Sequence, residues 1–361
     1  MRAVTNSCFL LLCLGLGSAW AQSFPIKDKA ITIVVPFTAG GPTDRLARDM
    51  AEALRKPLGG ATVVVENALG AGGAIATQKV ARATPDGHTL LIHHIGMATM
   101  PTLIRKPTFD VLNDFEYLGM IHEVPMTIVA RPSLEANNYK QLSAWVAVQK
   151  DKVNLGNAGI GSASHLCGLL WQAAMRTEMT TIQYKGVSMA MTDLLGGQID
   201  LLCDQTTNTL TYIEARKIKA YAVTGNKRLT QAALKDLPTL QEAGLKGFQF
   251  SVWHAVYAPK GLPAETKNKL HTALRSVLSD AAFVQKQEAL GALMIVDKRT
   301  DPVEHKKFVA AEIAKWGPSS RPQAFTPIKP ASNLLFESLA REVKRCPPSH
   351  AGVQCQHTQM Q

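Results

Sequence analysis

No stretch of this 361-residue chain approaches the about 20 uninterrupted apolar residues that a helix needs to cross a membrane. That excludes a helical integral membrane protein. Nucleotide-binding signatures are also missing. After Gly70 and Gly72 the chain places Ile75 where a dinucleotide fingerprint needs its third glycine or alanine, and no Walker lysine follows. No G-x-S-x-G elbow supports a hydrolase. His93 with His94, and His165 with Cys167, find no third or fourth partner at metal-ligand spacing, so neither a metal nor another cofactor is expected. Long basic runs are absent too. Lysine and arginine number 39 against 28 acids, for a net charge of +11, but the excess is spread along the chain. Nucleic-acid binding therefore gains no support, and the diffuse positive field either helps collect anionic solutes or only keeps the protein in solution.

Cysteine is scarce where it matters. Of six, Cys8 and Cys13 lie in the N-terminal apolar run and Cys346 and Cys355 near the C-terminus, which leaves Cys167 and Cys203 in the body. The first sits in a helical pattern and the second ends a strand, so the spacing leaves their pairing open.

The N-terminus carries an export signal. Arg2 precedes the apolar run Cys8 to Leu16, and Ala19, Trp20 and Ala21 form an A-x-A cleavage site, so residues 1–21 read as a signal peptide and the mature chain starts near Gln22. Leu10, Leu11 and Leu12 before Cys13 speak against a lipoprotein anchor. A periplasmic location is expected. The remaining chain has room for two domains of ordinary size.

Two glycine-rich loops stand out: VVPFTAGGPTD at 34–44 and VVVENALGAGGAIA at 63–76, each leading from an apolar strand pattern into a helical one. Glycine admits positive φ and close approach, and a helix start offers unpaired N–H groups at the positive end of its dipole. The pair reads as an anion clamp for a carboxylate, with the N–H groups of Ala39, Gly40 and Gly41 in the first loop, Thr38 and Thr43 hydroxyls nearby, and those of Gly72 and Gly73 in the second. A single such loop often binds nothing, and the argument rests on having two.

Around them the pattern repeats β-loop-α-β. Strands are predicted over 31–36, 62–65 and 89–93, with helices over 43–54 and 73–82, where Leu46, Met50, Ala53 and Leu54 share one face of the first. The logic restarts at 153–157 and runs through a helix at 164–175, a strand at 181–184, a helix at 188–195, and strands at 199–203 and 219–223. A strand at 250–258, one or two helices over 264–290 and a helix at 303–316 close the pattern and return to the first lobe. Such connections favour parallel strands with helices on both faces. At the strand ends of the second set lie Ser162, Ser164 and His165, then Tyr184 and Gly186, then Asp204. Serine beside histidine invites a nucleophile, but neighbours on one loop seldom reach that geometry, and a helix N-cap accounts for the same residues.

These segments, with ATPDGHTLL, GNAGIGSASHL, QYKG, LLGGQIDLLCD, LPTLQEAGL and WHAVYAPKGLP in this order, resemble the substrate-binding proteins of the tripartite tricarboxylate transporter family, also called Bug receptors, from Phe24 to Gly317. The resemblance implies an α/β fold of the two-lobed periplasmic binding protein kind, type II-like. Each lobe would be a mostly parallel sheet flanked by helices, with the ligand cleft between them. It places one lobe at 22–125 plus 248–317, the other at 126–247, and leaves 318–361 as an atypical tail. It also implies no chemistry: a monomeric receptor closes on a small organic acid or acidic amino acid and presents it to membrane permease subunits, or reports it to a sensor kinase. Carried over residue by residue, ligand contacts fall to Phe37, Ala39, Gly40, Gly41, Gly72, Gly73, Ser162, Ser164, His165, Tyr184, Gly186 and Asp204, with Asp44 ordering its loop. Asp204 would meet an amino or hydroxyl group. The chain departs from the family at Ala68 and Leu69, where arginine and proline are usual, and in its long tail.

Overall fold

The computed structural model describes residues 24–104 and 107–316; the expected signal segment and the tail lie outside the described residues. The chain opens with β1 (Ile31–Val35), α1 (Pro42–Arg55), β2 (Val63–Asn67), α2 (Ala74–Ala81), β3 (Thr89–His94), α3 (Gly96–Leu103) and the long β4 (Phe115–Ala130). A second series follows: α4 (Tyr139–Gln149), β5 (Asn154–Asn157), α5 (Ala163–Met175), β6 (Thr180–Gln183), α6 (Val187–Leu195), β7 (Leu201–Gln205), α7 (Thr206–Glu214) and β8 (Lys219–Val223). Then come β9 (Ser251–Pro259), α8 (Ala264–Leu278), α9 (Ala281–Ala289), β10 (Leu293–Met294) and α10 (Pro302–Trp316). Among the described residues no helix is long and apolar enough to cross a membrane.

Each lobe is built on a parallel block, β2-β1-β3 in the first and β7-β5-β6 in the second. The two crossing strands, β4 and β9, pair antiparallel with each other and with their neighbours, so each sheet is mixed where a mostly parallel one was expected. The reason is topological. A chain that crosses between lobes and returns through the same gap must run in opposite directions. β4 serves both lobes: it pairs with β9 from Phe115 to Pro125, then with β7 from Met126 to Ala130. Its sequence hides it, because Gly119, His122, Glu123 and Pro125 interrupt any apolar alternation. At Gly119, φ is +144° and a β-carbon would lie 2.6 Å from the Thr300 carbonyl oxygen, so the register shift there needs glycine.

Helix α1 shows how the pattern becomes packing. Pro42 sits at the first helical position, Asp44 lies in the first turn, and Leu46, Met50 and Leu54 are buried against β1 and β3 residues such as Ile31, Ile33 and Leu90. Each such side chain contributes about 1.5–3 kcal/mol on burial. The long helical pattern at 264–290 is two helices. The first stops at Leu278, and Asp280 caps the next, accepting from the Phe283 amide at 2.8 Å.

Candidate functional site

The first glycine loop is ordered by one acid. Asp44, 1 % exposed, accepts from the Gly40 amide at 2.8 Å, from Arg48 at 2.9 and 3.1 Å, and from Asn67 at 2.9 Å, while Asn67 also donates to the Phe37 carbonyl at 2.9 Å. Burial pushes the Asp44 carboxyl up, but the hydrogen bonds from Arg48, Gly40 and Asn67 outweigh it and hold the group below the usual carboxylate value. This corrects the simple clamp. The Gly40 N–H is taken by Asp44, and the Gly41 N–H turns back to the Thr38 carbonyl at 3.3 Å. Gly40, at φ +77°, provides the turn more than a donor. Open donors pass to the first turn of α1, where N–H groups have no intrahelical acceptor.

The second loop is also used differently. Gly70, Ala71, Gly72 and Gly73 run consecutively at positive φ, and the Gly73 N–H bonds to the Gly70 carbonyl at 3.0 Å. A β-carbon on Gly72 would lie 2.0 Å from the Ile160 carbonyl oxygen, so this loop abuts the α5 loop of the other lobe. The opposite rim closes likewise. A β-carbon on Gly186 would lie 2.1 Å from Thr38 Oγ1, Ser188 donates to the Ala39 carbonyl at 3.0 Å, and Thr38 bonds Ser188 at 3.3 Å. Gly72 and Gly186 thus act where the two lobes touch.

Between these contacts lies a cavity of about 20 Å³, room for roughly one water molecule. Of the expected ligand residues, Phe37, Gly41, Ser162, Ser164 and Asp204 line it, whereas Ala39, Gly40, Gly72, Gly73, His165, Tyr184 and Gly186 do not. Ser162 caps α5, accepting from the His165 amide at 3.3 Å; Ser164 accepts from the Ala158 amide at 2.9 Å; the His165 ring accepts from the Gly161 amide at 3.2 Å. The cluster organises a helix start, as the capping account expects. Tyr184 donates to Asp193 at 2.6 Å, and burial together with that acid raises its hydroxyl well above its ordinary value.

Sequence reasoning missed His94, Met126, Val187 and Gln205 in the lining of this cavity. His94 ends β3, and strand ends facing the cleft are where such a sheet binds, so its position was a usable signal. Its ring stacks on Phe37 at 4.7 Å and begins a buried imidazole chain: His93 lies 5.0 Å from it and His254 5.8 Å, His254 meets His122 at 3.2 Å between nitrogens, and Thr43 reaches His254 at 3.3 Å. Backbone amides donate to Nδ1 of both His93 and His94, which places their protons on Nε2. Burial pushes His94 and His122 down to about 3 and the other two well below their ordinary value, so all four are neutral. Among the described residues no group of three or more His, Cys, Asp or Glu is arranged to hold a metal ion.

Asp204 faces them from the other lobe. It is 1 % exposed and accepts from the Gln205 amide at 2.8 Å and Asn208 at 2.6 Å. Burial raises its carboxyl to about 7, against the smaller opposing effects of those two bonds and of Arg45. One residue earlier, Cys203 is bridged to Cys167 with 6.1 Å between Cα atoms, which settles the pairing that the spacing left open. The bridge ties α5, bearer of Ser162 and Ser164, to the strand that presents Asp204.

Two α/β lobes joined by paired crossing strands, with polar groups of both walls around one cleft, define a bilobal solute-binding protein. The chain belongs to the tripartite tricarboxylate transporter family receptors, whose family model matches residues 46–321. It is 44% identical over 294 residues to a UPF0065 protein from the TAR-I ttuE-ttuC' intergenic region of Agrobacterium vitis, covering 81% of this chain and 84% of that one. Against BugT of Bordetella pertussis the identity is 32% over 302 residues, covering 82% and 89%. The periplasmic binding protein BugD superposes with a TM-score of 0.78 at 43% identity, covering 87% of this chain and 98% of BugD. MatC from Rhodopseudomonas palustris, solved with bound malate, gives 0.75 at 33% identity over 81% and 98%. The matched family and structures are binding proteins, so the chain reads as a receptor and not an enzyme.

Proposed function

We propose that this protein is an exported receptor that closes its two lobes around a small organic carboxylate and delivers it to a tripartite tricarboxylate-type membrane transporter. The observation that carries the reading is the cavity between the lobes, where the α1 N-terminus and Thr43 face Ser162, Ser164 and Asp204. A helix N-terminus and hydroxyls are carboxylate partners, and donors from opposite lobes reward closure. A cavity of about 20 Å³ is too small for a dicarboxylate, so entry requires the lobes to part about the β4 and β9 crossings. Relatives support the ligand class: MatC was solved with bound malate, and another R. palustris protein, 29% identical, with adipate. In this reading Phe37, Gly41, Ser162, Ser164 and Asp204 touch the ligand directly. Ala39, Gly40, Gly72, Gly73, His165, Tyr184 and Gly186 shape the loops and rims that close over it.

Calorimetric titration of the mature protein with succinate, malate, adipate and aspartate tests this. A saturable, one-to-one heat with at least one acid is expected, and at about 100-fold excess over Kd the ligand adds about 2.7 kcal/mol to unfolding stability. Silence across the panel, or turnover of a bound acid, overturns the reading.

A further inference from the structure

The acid in this anion-binding cleft is unexpected. Both oxygens of Asp204 already accept one hydrogen bond each, and beside it Gln205 Oε1 is buried without a partner. Two adjacent acceptors on one wall call for donors from the ligand.

The groups facing Asp204 supply little countercharge. From α1 comes Arg45, which is also engaged with the Gly40 carbonyl at 3.0 Å. From β3 comes His94 and from β9, behind Thr43, His254, both kept neutral by burial. α5 brings His165, whose Nδ1 accepts the Gly161 amide. α6 brings the apolar Val187, while its acid Asp193 is held by Tyr184. β4 contributes the Thr127 hydroxyl, donated to the Asp204 carbonyl, and α7 contributes the neutral Asn208. An ionised Asp204 therefore repels a ligand carboxylate in a poorly screened site.

We propose that Asp204 selects ligands by its protonation state: a plain dicarboxylate is captured together with one proton, which moves from solvent onto Asp204, whereas an amino-bearing acid is captured with Asp204 ionised against its ammonium group. The inference rests on the receptor reading above. In the first case the protonated carboxyl donates to the ligand's distal carboxylate. In the second, the ammonium donates to Asp204 and to Gln205 Oε1. A carboxyl titrating near 7 sits where both states are within reach at neutral pH.

Calorimetry in buffers of different ionisation enthalpy counts the protons directly. Succinate and aspartate are compared over about pH 6.5 to 8.5, where carboxylates stay ionised. Succinate is expected to take up about one proton at the alkaline end and weaken about 10-fold per pH unit there. Aspartate is expected to take up none at that end and to release about half a proton near pH 7. Asp204→Asn, being uncharged throughout, should bind both without proton exchange and favour succinate over aspartate. Succinate binding by the wild-type protein with no proton uptake at pH 8, or identical pH profiles for the two acids, overturns the inference while leaving the receptor reading intact; the wild-type count decides even if the variant fails to fold. If neither these acids nor malate nor adipate binds at any pH, the receptor reading fails and the inference falls with it.

Discussion

The two walls of the cleft solve the same problem with different means. The first lobe's wall is a loop held by hydrogen bonds to Asp44 and backed by four neutral imidazoles. The second lobe's wall is a capped helix start cross-linked by a disulfide to the strand that carries a buried acid raised to about 7. One wall is locally hydrogen-bonded and uncharged behind its loop; the other is covalently braced and titratable. In the proposed reading, the difference teaches that a carboxylate receptor can place its rigid donors on one lobe and its selectivity on the other.

Breaking the brace has the largest expected effect. The disulfide closes a loop with a sequence separation of 36, so replacing Cys167 and Cys203 together by serine should cost about 3–4 kcal/mol of stability. Denaturant midpoints with and without reductant measure this, and an unchanged midpoint removes the brace from the comparison.

Next comes the rim. Gly186→Val keeps an allowed backbone but drives its side chain into Thr38, so ligand affinity should fall about 100-fold, or about 2.7 kcal/mol, while the unliganded protein melts unchanged. Scattering profiles with ligand should show that the variant stays open. Retained affinity would place the Thr38 contact outside the closing motion.

The walls should oppose each other in pH dependence. His94 and His122 bind a proton in the unfolded chain below about 6.5 but in the folded state only near 3, so the unfolded state holds more protons between those values and stability is lost as pH is lowered across that window. Each contributes a slope of about 1.4 kcal/mol per pH unit. Asp204 has the opposite sign: the folded state holds its proton up to about 7, so between the ordinary carboxylate value of 3.8 and about 7 stability falls as pH rises. His94→Gln should flatten the acid limb of urea midpoints, and Asp204→Asn the limb approaching neutrality. Matching slopes in both variants would erase the contrast.

The smallest effect is local. Ser162→Ala removes the α5 cap and should cost about 1 kcal/mol. A cost well above that would give Ser162 a role beyond capping in the unliganded protein.

Much of this molecule was legible in its order of residues. The β-loop-α repeats, the face of α1 and the restart at 153 follow from periodicity and from proline and glycine placement, and the loop-ordering role of Asp44 from the family resemblance. β4 was not, because a strand serving two lobes carries glycine, proline and charge that destroy its alternation. Three of the five amides expected as donors were misassigned for a related reason: sequence shows which amides exist, while the partners that occupy those of Gly40, Gly41 and Gly73 lie at Asp44, Thr38 and Gly70 in three dimensions.

What the sequence by itself determined is the inventory: local conformations set by backbone sterics and periodicity, and the family to which the chain belongs. Only the tertiary structure decided which groups meet. His122 and His254 are separated by 132 residues and share a hydrogen bond, and Cys203 reaches Cys167 across a helix-sheet interface. Burial, which turns four histidines neutral and lifts Asp204 to about 7, is a property of the packed whole. Desolvation depends on every neighbour at once, and no local pattern encodes it.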